Sequence, residues 1–136
     1  MGRGGGEAIA SEWRAEDRPL WPADRLTRQS YLYGQCHALA LALHRRSGWP
    51  LYGCDWYQPP GASKQIPDHV FIRMPDGRGL DISGPHRRGQ HPEGCRPDWR
   101  PLSQEELERL IAAGSLEVPE MERAEELAAA LLAAFS

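Results

Sequence analysis

Cys36, His69 and Asp81 are residues whose types and order in the chain suit covalent catalysis. A thiol nucleophile needs a lowered pKa, a base to exchange its proton, and a group to orient that base. Cys36 lies in Gly-Gln-Cys-His-Ala-Leu-Ala-Leu-Ala-Leu-His-Arg-Arg, residues 34–46, a run that predicts a helix with the thiol in its first turn. The partial positive charge and unpaired N–H groups of a helix start favour thiolate over thiol and offer donors to an oxyanion. Taken alone, a cysteine in an apolar helix is an ordinary small core residue. The addition of a histidine and a carboxylate on one strand pair makes it a candidate nucleophile, because burying that polar pair is costly.

The positions of those three residues depend on two elements. The helix is expected to end at Ser47-Gly48, where glycine suits a left-handed cap, and its apolar run implies cover on most sides. Residues 68–74 and 78–83 form a predicted hairpin, with Pro75-Asp76-Gly77 as a three-residue loop closed by glycine. That loop pairs Met74 with Arg78, Ile72 with Leu80, Phe71 with Asp81, Val70 with Ile82 and His69 with Ser83. Val70, Ile72, Leu80 and Ile82 then share an apolar face, and His69, Phe71, Asp81 and Ser83 share the other. His69 and Asp81 become diagonal neighbours, about 7–8 Å apart at the backbone and within side-chain reach.

The remaining segments are read around this centre. Residues 51–57, rich in aromatic residues, predict a strand, and 58–67 a loop able to rim a cleft. Residues 22–33 suit either a short helix or irregular chain. Glycine and proline in 84–101 argue against regular structure. Ser103 with Glu106 is a capping box, Leu102 with Leu107 a staple, and Gly114 a stop for the helix between them. A last helix over about 120–135 aligns Met121, Ala124, Leu127, Leu131 and Phe135 in a stripe suited to core packing or a homodimer contact. Residues 1–18, glycine-rich at their start, are expected to be a flexible lead, with Trp13, Leu20 and Trp21 anchoring the adjoining segment to the body. Residues 19–136 are expected to form a single α+β domain.

Composition narrows the function classes. The chain has 136 residues, 40% hydrophobic and 26% charged, with a net charge of -3. That length supports one core, and the charge gives no reason to expect nucleic acid or an anionic membrane as partner. No apolar run reaches the roughly 18 residues that would span a bilayer. Cys36, Cys54 and Cys95 are an odd number without a CxxC pair, so no closed disulfide framework is expected. The expected location is the reducing cytoplasm.

Gly-Gln-Cys-His-Ala-Leu-Ala opening a helix, His-Val-Phe-Ile on a strand and Leu-Asp-Ile on the next together resemble the papain-like superfamily. The likeness is to its compact bacterial branches: NlpC-type amidases, transglutaminase-like proteins and arylamine N-acetyltransferases. It covers about residues 34–83. It implies a papain-like α+β fold, the Cys36 helix packed on a small antiparallel sheet, here with two C-terminal helices. It also implies Cys36 as nucleophile, His69 as base and Asp81 as orienter, with Gln29 or Gln35 as a further oxyanion donor. Phe71 stands where transglutaminase-like sites often carry tryptophan, and Gln35-Cys36-His37 replaces the Asp-Cys-Ser run of NlpC-type enzymes.

The leading expectation is a thiol-dependent peptidase, amidase, deamidase or acyl transferase acting on a protein, peptide or small amide, without a cofactor. One alternative is a binding module that keeps the fold without turnover. Another is a zinc module built on His86, His91 and Cys95, with Cys54 or Cys36 as fourth ligand.

Overall fold

The computed structural model describes residues 24–57 and 66–136. The expected lead at 1–18, its tryptophan and leucine anchors, and nearly all of the 58–67 loop lie outside those residues. The described chain is α+β, with four helices and one five-stranded antiparallel sheet. The helices are α1 (Arg25–Tyr33), α2 (Cys36–Ser47), α3 (Gln104–Ala112) and α4 (Met121–Phe135). The strands are β1 (Leu51–Cys54), β2 (His69–Arg73), β3 (Gly79–Asp81), β4 (Gly84–His86) and β5 (Arg100–Leu102), in spatial order β4-β3-β2-β1-β5.

Helix α2 is the central element, as its composition predicts. Every residue from Cys36 to Leu43 is buried. The alanines at 38, 40 and 42 let neighbours approach closely, while Leu39, Leu41 and Leu43 fill the space between, each contributing about 1.5–3 kcal/mol by burial. Gly48 ends the helix at φ 77°, and its N–H donates to the His44 carbonyl. Helix α4 packs along α2 and buries Ala124, Leu127, Ala128 and Leu131, so the apolar stripe of the last helix is used within the chain. The short α1 settles the open reading of residues 22–33. Asp24 caps it by accepting the Thr27 N–H at 2.7 Å. The Ser103–Glu106 capping box of α3 forms in both directions.

The sheet gives the hairpin its expected start and a different end. Ile72 pairs with Leu80, and the Met74 N–H donates to the Arg78 carbonyl at 2.7 Å, as the three-residue loop requires. Strand β3, however, stops at Asp81, and Ile82 and Ser83 turn the chain into β4, with Asp81 opposite Gly84. The expected strand at 78–83 is therefore shorter, and the "irregular" stretch at 84–101 contains strands at both ends. Register places Tyr52, Cys54, His69, Phe71, Gly79, Asp81 and His86 on one face. Val70, Ile72 and Leu80 fall on the other, which α2 covers. The predicted strand at 51–57 is regular only to Cys54, after which Trp56 makes a single bridge to Cys95.

Beside that bridge, Cys54 and Cys95 are joined in a disulfide, leaving Cys36 as the thiol among the three cysteines. This corrects the expectation that no such bond forms. Pair counting overlooks it because one odd cysteine does not prevent the other two from meeting. The expectation of a reducing compartment loses its support from cysteine usage. Among the described residues, no helix is long and apolar enough to cross a membrane.

The disulfide closes a loop between residues 41 apart in sequence, a length for which chain-entropy models give about 4 kcal/mol. Replacing both partners with alanine, or adding a reductant, is expected to lower unfolding free energy by about 2–4 kcal/mol in urea titrations. Equal stability with and without reductant would contradict a bond formed in the folded chain.

Candidate active site

His69 opens β2 and lies at the centre of the cluster. Its side chain is fully buried, and Nε2–H donates to Asp81 Oδ2 at 2.6 Å. That bond leaves Nδ1 on the other side of the ring, buried and without an aligned hydrogen-bond partner. The Trp56 ring covers His69 with centroids 4.7 Å apart, and Phe71 stacks beside it at 5.8 Å. Asp68, one residue before His69, accepts the Trp56 backbone N–H at 2.9 Å and so positions the segment that carries the indole.

Cys36 is the first residue of α2, as predicted, and is 6% exposed. The Val70 N–H donates to its sulfur at 3.4 Å. Burial pushes the thiol pKa up, but interactions with His37 and His69, together with the Val70 N–H, overcome this and bring it to about 6. Burial pulls His69 down, and Asp81 and Cys36 overcome that to raise it to about 10. At neutral pH these directions favour thiolate beside imidazolium.

Asp81 is surrounded by donors. Burial would raise its carboxyl, but the His91, His86 and His69 rings hold it well below the ordinary carboxylate range. Oδ2 accepts from both His69 and His91, the latter at 2.7 Å, and Oδ1 accepts the Ser83 N–H at 2.8 Å. Ser83 thus supports Asp81 through its backbone. His86 meets His91 edge to face with centroids 4.3 Å apart, and burial lowers its pKa to about 4, so it is neutral. Gly79 makes room for it, since a Cβ there would lie 2.8 Å from His86 Nε2.

Of the two glutamine candidates, Gln35 is already committed. Its Nε2 donates to Glu117 Oε1 and the Val118 carbonyl, and its Oε1 accepts the Glu120 N–H. This clamp ties the start of α2 to the α3–α4 connection and uses up the amide as an oxyanion donor. Gln29 is exposed on α1, lining an open cavity of about 460 Å³ with Ser30, Tyr33, Gly34, Gln35, Glu117 and Glu120. His37 joins the same clamp, its Nε2–H donating to the Glu117 carbonyl at 2.7 Å.

The zinc set read from sequence does not assemble, because Cys95 and Cys54 are bonded to each other. A different group, His69, Asp81 and His91, has one ligand-type atom from each residue within 4.8 Å of the others. Its hydrogen bonds disfavour a metal. The Glu93 N–H donates to His91 Nδ1 at 2.9 Å, so the proton of a neutral ring sits on Nε2, the atom a metal would need bare.

The three residues singled out by type and order, Cys36, His69 and Asp81, lie in one buried neighbourhood. Sequence reasoning reads His91 only as a candidate zinc ligand and not as a partner of Asp81, yet it is 6% exposed and bonded to that carboxylate. The available signal is turn chemistry. Pro92 follows His91, and Gly94 takes φ 89° as its N–H donates to the His91 carbonyl, so this "loop" is an ordered turn. Trp56 is passed over too, because its role depends on a strand end that only the folded sheet defines.

No family model, curated protein or solved structure matches this chain.

A thiol with a depressed folded pKa contributes stability that is complete above its ordinary value of 9.0 and is lost as pH falls through about 6. The raised His69 contributes stability that is complete below 6.5 and is lost as pH rises through about 10. Between these limits the two slopes oppose each other in the wild type. Cys36→Ala removes the first and weakens the second, because Cys36 also helps to raise His69, so wild-type stability relative to the variant is expected to grow from pH 6 to pH 9, by up to about 4 kcal/mol. Urea unfolding at three pH values measures it, and a difference that shrinks from pH 6 to pH 9 would contradict a thiolate at Cys36 in the fold.

Proposed function

We propose that this protein is a thiol-dependent acyl-transfer enzyme of papain-like type, with Cys36 as nucleophile, His69 as acid and base, and Asp81 as orienter. The observation that carries the reading is the two-sided placement of His69. Its Nε2 is fixed on the buried Asp81 carboxylate at 2.6 Å, which turns Nδ1 away from Asp81, and the ring also interacts with the Cys36 thiol at the first position of a helix. A thiol, an imidazole and a carboxylate that holds the imidazole are the groups acyl transfer requires, which supports this reading.

In this reading the Cys36 thiolate attacks the carbonyl carbon of an amide or ester, and a sulfur–carbon bond forms. The N–H groups of the first turn of α2 hold the oxyanion. Collapse breaks the carbon–nitrogen or carbon–oxygen bond, and the His69 Nδ1 proton passes to the leaving group. Water or an acceptor amine then gives its proton to His69 as it attacks the thioester. The product leaves and the thiolate is restored. Asp81 keeps the imidazole in one orientation and stabilises its cationic form. A protein, peptide or small amide fits this chemistry.

A second reading, a binding module in which the same network only holds the fold, draws on the depth of the site. Cys36 is 6% exposed and the His69 side chain is fully buried.

The two readings separate on thiol reactivity. Alkylation of Cys36 by iodoacetamide, followed by mass spectrometry across pH, is expected to show a midpoint near 6 in the wild type. In His69→Ala the midpoint is expected to move toward the free-thiol value of about 8.5, with at least a tenfold loss of rate at pH 7. Asp81→Asn should shift it in the same direction. A Cys36 that is inert at neutral pH, or reacts identically without His69, sinks the enzyme reading in favour of the binding module.

A further inference from the structure

The turn between β4 and β5 brings a second histidine to the carboxylate that orients His69. His91 Nε2–H donates to Asp81 Oδ2 at 2.7 Å, sharing that oxygen with His69 at 2.6 Å. Its other ring nitrogen is occupied as well, since Nδ1 accepts the Glu93 N–H at 2.9 Å. A backbone N–H cannot donate to a protonated nitrogen, so His91 is held as the neutral tautomer with its proton facing Asp81. We propose that His91 is a positioning residue: a backbone-locked donor that fixes Asp81 Oδ2 where His69 needs it. The proposal rests on the acyl-transfer reading above and extends it to a residue outside the three.

The placement of His91 is over-determined. Pro92 and the positive-φ Gly94 shape a turn closed by the Gly94 N–H on the His91 carbonyl at 3.0 Å. The next residue, Cys95, is bonded to Cys54, and Cys54 is the cross-strand partner of His69. Trp56 lies against both rings, 4.7 Å from His69 and 5.4 Å from His91. The turn therefore hangs from the strand that adjoins His69, so the two imidazoles share one support.

Charge accounting explains why a neutral donor is needed. Asp81 faces His69 from β2, His86 from β4 and His91 from the turn, and Cys36 faces His37 from α2 and His69 from β2. His86 is neutral, and its Nε2 is buried without a hydrogen-bond partner. If His91 were a second cation on Oδ2, it would compete with His69 for the single carboxylate. Locked neutral, it stabilises the carboxylate by a hydrogen bond and leaves the ion pair to His69. Oδ1 is taken by the Ser83 N–H, so the carboxylate cannot rotate without breaking a bond.

The test is the pH profile of Cys36 alkylation in the full chain carrying His91→Ala or His91→Gln. The alanine variant is expected to raise the midpoint by about one pH unit or more and slow alkylation at pH 5 about tenfold. Glutamine, which returns an N–H donor, is expected to stay within about threefold of the wild type. A wild-type profile in the alanine variant overturns the proposal, as does an equal shift in both variants, which would mean that the ring only fills space. Should the alanine variant not fold, imidazole nitrogen NMR of the wild-type protein decides: Nε2–H with bare Nδ1 at His91 is expected, and a proton on Nδ1 overturns it. His69→Ala tells the two failures apart. If His69→Ala shifts the profile and His91→Ala does not, this inference alone fails; if neither shifts it, the acyl-transfer reading fails and takes this inference with it.

Discussion

The carboxylate of Asp81 is 2% exposed, and a buried carboxylate is tolerated only when hydrogen bonds and opposite charge replace the water it has lost. Three donors do so here: His69, His91 and the Ser83 N–H. Each comes from a different piece of backbone, so much of the sheet edge is arranged around one side chain. Strand β3 stops at Asp81, the turn to β4 supplies Ser83, β2 supplies His69, and the turn before Cys95 supplies His91. Removing one partner would leave the others facing an uncompensated charge, a loss of about 3–5 kcal/mol for buried pairs in general.

The other half of the site is held by the first turn of α2, which is tied down at a distance. Gln35 and His37 reach the Glu117–Glu120 segment, and the Tyr31 hydroxyl donates to the Glu120 carbonyl at 3.1 Å. The connection between the last two helices therefore fixes the height of Cys36 over the sheet. Gly34 permits this, because a Cβ there would lie 2.8 Å from Glu117 Oε2. The thiol and the histidine are thus placed by two clamps, one built from β-structure and one from helix termini. The proposed chemistry depends on both.

Much of this was legible in the chain. The alternating residues of 68–83 and the Pro-Asp-Gly loop specify the pairing of Ile72 with Leu80, and that pairing puts His69 and Asp81 on one face, since strand side chains alternate strictly. The unbroken apolar run after Cys36 specifies a buried helix, and Ser103 with Glu106 specifies where α3 starts. These signals are local, carried by residues a few positions apart. The end of β3 was not legible, because Ile82 and Ser83 read as strand until Asp81 and Gly84 are seen to pair across them.

Local pattern in the chain was enough to specify the helix that carries Cys36, the hairpin, and the common face of His69 and Asp81. Its physical basis is periodicity and capping, which act over one or two turns. The folded core alone brings Cys54 to Cys95, makes Gln35 a clamp instead of an oxyanion donor, and carries His91 to Asp81. Those contacts join residues from 10 to 85 positions apart, and their formation depends on which face each segment turns inward once the sheet is assembled. Spacing along the chain does not encode such meetings; the packing of the whole core does.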